Sequence, residues 1–62
     1  MNKLILEYER KIYDLDNILR HEKELFAKDR SNMSIRINIE RYNSMRQVYV
    51  QVNEDLRSLL SA

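Results

Sequence analysis

Not one of the 62 residues is glycine or proline. That absence constrains the fold more than any motif does, because sheet architectures take their tight turns from those two residues. A chain without them reads as helical, and only side-chain chemistry can interrupt it. One stretch has that chemistry: Lys28-Asp29-Arg30-Ser31-Asn32-Met33-Ser34. It gathers Ser31, Asn32 and Ser34, each able to accept a hydrogen bond from the first turn of a new helix. Asn32 is also the best local candidate for a left-handed backbone conformation.

Hydrophobic spacing on either side of this break is helical. In the first half Leu4, Ile5, Tyr8, Ile12, Leu15, Ile18, Leu19, Leu25 and Phe26 fall on one face. Glu22 is the one charged residue among them, placed to snorkel or to meet an arginine of a partner helix. Glu7 to Lys11, Asp16 to Arg20 and Glu24 to Lys28 are acid–base pairs four apart, each worth about 0.2–0.5 kcal/mol on an exposed helix. In the second half Tyr42, Met45, Tyr49, Val52, Leu56 and Leu59 alternate steps of three and four, a coiled-coil-like seam for another helix. Val48 and Leu60 widen it toward a core-facing stripe.

Continued in phase, the first seam would reach Glu40, Asn43 and Gln47 instead of Tyr42, Met45 and Tyr49. One uninterrupted rod would therefore turn its two halves to different sides. The spacing predicts an all-α chain: a single domain folded as an antiparallel hairpin, with helix 1 at about 2–29, a turn at about 30–33 and helix 2 at about 34–60. A rival layout competes over Met33 to Val52. There Met33, Ile35, Ile37 and Ile39 alternate with polar residues and Val48-Tyr49-Val50-Gln51-Val52 is rich in strand formers. Helix is preferred, since Glu40 to Gln47 has no glycine or proline to make a hairpin turn and a lone two-stranded sheet is marginal in water.

Size sets a further demand. A chain this short buries only about 60% of the surface it exposes when unfolded. Below roughly 70–80 residues natural chains add disulfides, a metal or self-association. There is no cysteine, which excludes a disulfide and removes the usual zinc ligands. Self-association remains. Leu6, Tyr13, Ile37 and Val50 lie off the main helical faces. They are read as candidate partner contacts, with two hairpins pairing into a four-helix bundle, a homodimer or a higher oligomer.

Catalytic chemistry is sparse. His21 is the only histidine. A helical zinc-protease site needs a second one four residues on, where Leu25 stands. A di-iron bundle needs a carboxylate three residues before it, where Ile18 stands. Asp14 and Asp16, or Glu22 and Glu24, are two apart and point to different sides of a helix. No glycine means no phosphate-cradling loop. The expectation is no enzyme, no cofactor and no metal.

Arg36, Arg41 and Arg46 are candidate anion contacts, in a stretch that also holds Asn38, Asn43, Gln47 and Gln51, the residue types that grip phosphates and read base edges. Spacing by five spreads them around a helix, and the net charge is only +1. Nucleic acid or a small nucleotide is therefore the alternative partner, and a protein the preferred one. The start of the chain is too short for a signal-peptide core and no run approaches a membrane span, so a cytoplasmic protein with no membrane contact is expected. The leading functional expectation is a small non-enzymatic interaction protein, a regulator or inhibitor that works by occluding or bridging a partner's surface. Small phage-encoded inhibitors have that character.

Overall fold

The computed structural model describes residues 3–61. The described chain is two α-helices packed against one another, α1 over Lys3–Lys28 and α2 over Met33–Ser61. The expected start of helix 1 at Asn2 lies outside the described residues. The strand alternative is overturned, because Met33 to Val52 lies wholly within α2. Its β-branched residues are drawn into the helix by packing against α1, as tertiary context routinely overrides propensity.

Side chains build the break between the helices. The amide of Asp29 closes the last turn of α1 by donating to the carbonyls of Leu25 and Phe26 (3.1 and 3.2 Å). The amide of Asn32 then donates to the Asp29 carbonyl (3.1 Å), and the Ser31 hydroxyl to the Asp29 carboxylate (3.1 Å). Asn32 caps α2: its Oδ1 accepts from the amides of Ser34 (3.1 Å) and Ile35 (3.4 Å), the second and third positions of the helix. No described residue has a positive φ, so Asn32 acts through its side chain and not by a left-handed backbone.

Tyr8 meets Tyr49 with ring centroids 5.6 Å apart and planes tilted by 60°. The Lys11 ammonium lies 5.9 Å from the Tyr49 ring centroid. Asp16 accepts from Arg46 at 2.6 Å, and Glu9 accepts from Arg57. These cross-helix partners fix an antiparallel register. The seam on α1 is Ile5, Tyr8, Ile12, Leu15, Leu19, Glu22 and Phe26; on α2 it is Ile35, Ile39, Tyr42, Arg46, Tyr49, Asn53 and Leu56. Each runs in unbroken steps of three and four, and each member is at least partly buried.

The core is thin. Leu15 and Leu19 are the buried hydrophobic residues, at 5% and 4% exposure. The radius of gyration is 14.5 Å, against about 10.6 Å for a compact domain of this length. The accessible surface is 5064 Å², where a compact monomer of this mass would have about 4300 Å². The hairpin therefore leaves about 750 Å² more surface in water than its mass requires, close to the ~800 Å² that each partner of a standard interface buries.

Candidate interaction surface

Facing antiparallel helices share a simple rule. With about 3.6 residues per turn, the residue after a seam position projects to the same side of the hairpin on both helices, and the residue before it projects to the other. The ion pairs identify the first side. Asp16 follows Leu15, Glu9 follows Tyr8 and Arg57 follows Leu56, and their partners join across that face. Arg20, Lys23, Asn43 and Glu54 also follow seam positions and are exposed. With Asp16 and Arg46, the first three line an open groove of about 640 Å³. This is the polar face.

The opposite face is apolar. Residues preceding seam positions include Leu4, Ile18 and Leu25 on α1 (45%, 39% and 38% exposed) and Met45 and Val48 on α2 (43% and 59%). Val52 is half-buried beside them, and Leu59, seven residues on, is 75% exposed. Ile37 and Met45 line one shallow groove together with Arg41. The face runs along a molecule 48 Å long and 15 Å wide, carrying Glu7, Lys11, Asp14, Arg41 and Asp55 as its charged interruptions. Exposed apolar side chains gathered on one side of a hairpin are the feature of this surface that its folding alone does not explain.

Within the hairpin, helix 2 is turned away from the stripe its apolar residues alone suggest. Tyr42, Tyr49 and Leu56 are partly buried in the seam with α1, Val52 is half-buried at its edge, and Met45 and Leu59 are left in water. Their places in the intramolecular seam are taken by Ile39, Arg46 and Asn53. Arg46 turns inward because its guanidinium reaches Asp16 on α1. Asn53 is 8% exposed, and its Oδ1 has no hydrogen-bond partner among the described residues. Sequence periodicity missed both; the available signal was Ile35 and Ile39, which stand in phase with Tyr42 and Tyr49.

The candidate partner contacts do not share one surface. Leu6 and Tyr13, seven apart, are exposed on the outer side of α1, at 49% and 65%. Ile37, 46% exposed, borders the apolar face. Val50 follows the seam residue Tyr49 and is half-buried toward the polar face. The candidate anion contacts are not brought together either. Arg36 pairs with Glu40 one turn on (3.5 Å), Arg46 with Asp16, and Arg41 projects to the apolar side. Of the three acid–base pairs expected along α1, none is among the ion pairs of the described residues. Asp16 is engaged by Arg46, and Arg20 donates to Asn17 instead. Glu22 is half-buried and is in none of the ion pairs among the described residues.

Among the described residues there is no group of three metal-ligating side chains, and no helix is long and apolar enough to cross a membrane. No protein-family profile, curated protein or solved structure shows a match to the chain.

Proposed function

We propose that this chain is a small non-enzymatic protein–protein interaction module, of the regulator or inhibitor kind, which works by covering a partner's surface and self-associates by helix packing into a four-helix bundle. The observation that carries this reading is the apolar face of Leu4, Ile18, Leu25, Met45, Val48 and Val52, opposite the face that holds both cross-helix ion pairs. A hairpin with two buried leucines gains only about 1.5–3 kcal/mol from each of them, which is small beside the entropy of ordering two long helices. Covering the apolar face supplies the missing burial. Leu6 and Tyr13, on the outer side of α1, stay open in such a bundle and form the surface offered to a different protein.

Sedimentation equilibrium tests the self-association. The wild-type chain is expected at a multiple of 7.6 kDa, while Met45→Asp and Val48→Asp, each placing an unpaired charge in the contact, shift it toward monomer and lower its helicity. A wild-type monomer whose melting is cooperative and independent of concentration would overturn the reading. Leu6→Ala with Tyr13→Ala should weaken capture of the cognate partner without changing the sedimenting mass.

A further inference from the structure

We infer that a second copy closes the apolar face by lying across it with its turn at the opposite end, about a two-fold axis level with Asp14–Leu15 on α1 and Arg46–Gln47 on α2. This rests on the self-associating reading above and names the arrangement.

The argument begins with spacing. On α1 one row of the face is Leu4, Lys11, Ile18 and Leu25, seven residues apart throughout, with Glu7, Asp14 and His21 between them. A two-fold axis between Asp14 and Leu15 sets Leu4 opposite Leu25 of the second copy, and Lys11 opposite Ile18. On α2 an axis between Arg46 and Gln47 sets Met45 opposite Val48, Arg41 opposite Val52 and Ile37 opposite Leu56. These are one axis. The hairpin register, fixed where Asp16 meets Arg46 and Tyr8 meets Tyr49, holds the two points at the same level. Both stripes therefore come into self-complementary register under a single rotation. The surplus of exposed surface matches what one side of a standard interface buries.

Charge then selects between the two ways of stacking a hairpin on itself. With the turns at opposite ends, α1 packs on α1 and α2 on α2. The most apolar rows meet each other, Arg41 lies beside Asp55 of the second copy, and Lys11 lies one turn from its Glu22, the half-buried carboxylate that is in none of the ion pairs among the described residues. With the turns together, α1 of one copy would cover α2 of the other. Lys11 and Asp14 would then be pressed onto Val48 and Val52, and Glu7 would oppose Asp55. In the first stacking Lys11 and Arg41 also lie level with aliphatic side chains, Ile18 and Val52, but each has a carboxylate of the second copy within a turn; the second stacking gives Asp14 no such counter-charge. The favoured arrangement keeps two unfavourable contacts, Glu7 opposite Glu22 of the second copy and the two Asp14 carboxylates beside the axis, both of which added salt weakens.

A single spin label decides the matter, since the chain has no cysteine of its own. Arg30→Cys places the label in the turn, at an exposed residue. Pulsed dipolar spectroscopy on the labelled protein, with its mass read by sedimentation, should give a dimer with a label-to-label distance close to the 48 Å length of the hairpin. A dimer with a distance under about 25 Å, two helix diameters, would overturn the arrangement and leave self-association standing. A monomer with no dipolar signal would overturn both.

Discussion

Replacing Asn53 with leucine should make this protein more stable, and the size of the gain follows from where Asn53 sits. It is 92% removed from water, level with Tyr8 in the interhelical seam, and its Oδ1 accepts no hydrogen bond from the described residues. A buried acceptor without a donor costs about 1–3 kcal/mol relative to its hydrated state. Asn53→Leu abolishes that penalty and adds a buried aliphatic side chain, worth about 1.5–3 kcal/mol. Leucine is bulkier and branches differently, and fitting it against the tyrosines returns about 1–3 kcal/mol as strain. At the middle of these ranges the net is a stabilisation of about 2 kcal/mol, which for a domain of this size raises the melting midpoint by roughly 8–16 °C. Thermal melts followed by circular dichroism, compared at equal protein concentration because association shifts the midpoint, measure it directly. Asn43→Leu on the polar face is the matched control and should stay within about 0.5 kcal/mol of wild type. Asn53→Asp completes the set, since a carboxylate in that position is buried without a counter-charge and should lose about 3 kcal/mol or more. A leucine variant that melts at or below wild type, beside a neutral aspartate variant, would mean that Asn53 faces water and that α2 is rotated from the orientation described.

Leu19→Ala removes one of the two buried leucines and should cost about 2–5 kcal/mol, leaving the chain largely unfolded at room temperature by circular dichroism; full retention of helicity would relocate the core. Asn32→Ala removes the cap that receives the Ser34 and Ile35 amides and should lower stability by about 1 kcal/mol in urea titration, with Ser31→Ala much milder. A double-mutant cycle on Asp16 and Arg46, both substantially exposed, should return a coupling of no more than about 1 kcal/mol that shrinks with added salt; a larger, salt-insensitive value would place the pair in a drier setting. Tyr49→Asp sets a charge against Tyr8 in the seam and should unfold and dissociate the protein together, as read by light scattering and circular dichroism on the same sample.

The fold was legible because two independent signals agree: there is no glycine or proline, and both halves repeat apolar residues in steps of three and four. The seam of α1 could be read residue by residue, since Ile5, Tyr8, Ile12, Leu15, Leu19 and Phe26 fill every position but one. The seam of α2 could not. Tyr42, Tyr49 and Leu56 belong to two overlapping stripes, and apolar content favours the flank of Met45, Val52 and Leu59 over that of Ile39, Arg46 and Asn53. The choice between them is made by contacts between helices, chiefly Arg46 reaching Asp16, which periodicity within one helix does not encode. The same cause removed the pairing of Asp16 with Arg20: a carboxylate facing another helix has a competitor that an isolated helix lacks. The turn shows the converse, since Asn32 announces its cap by residue type alone.

The division of α2 into a polar-tolerant stripe and an apolar one has a thermodynamic basis in the assembly inferred above. A turn of four residues holds α2 beside α1 at high effective concentration, so closing the hairpin needs little further attraction and can accommodate Arg46 and Asn53 in its seam. Joining two separate copies has no such tether and must overcome lost translational and rotational freedom, of the order of 4–15 kcal/mol. Met45, Val48 and Leu59, the side chains with much to gain from leaving water, are the ones turned outward, with Val52 half-buried at their edge, as the inferred assembly requires. The polar residues kept in the inner seam limit what the hairpin can do alone, as a buried polar position in a helical seam fixes register at a cost in stability. A chain with the two stripes exchanged, carrying Arg46→Met and Asn53→Val inside with Met45→Arg and Val52→Asn outside, should fold as a monomeric hairpin with sharper melting and no concentration dependence. If that variant still sediments as a dimer, the outward stripe is not what holds the copies together.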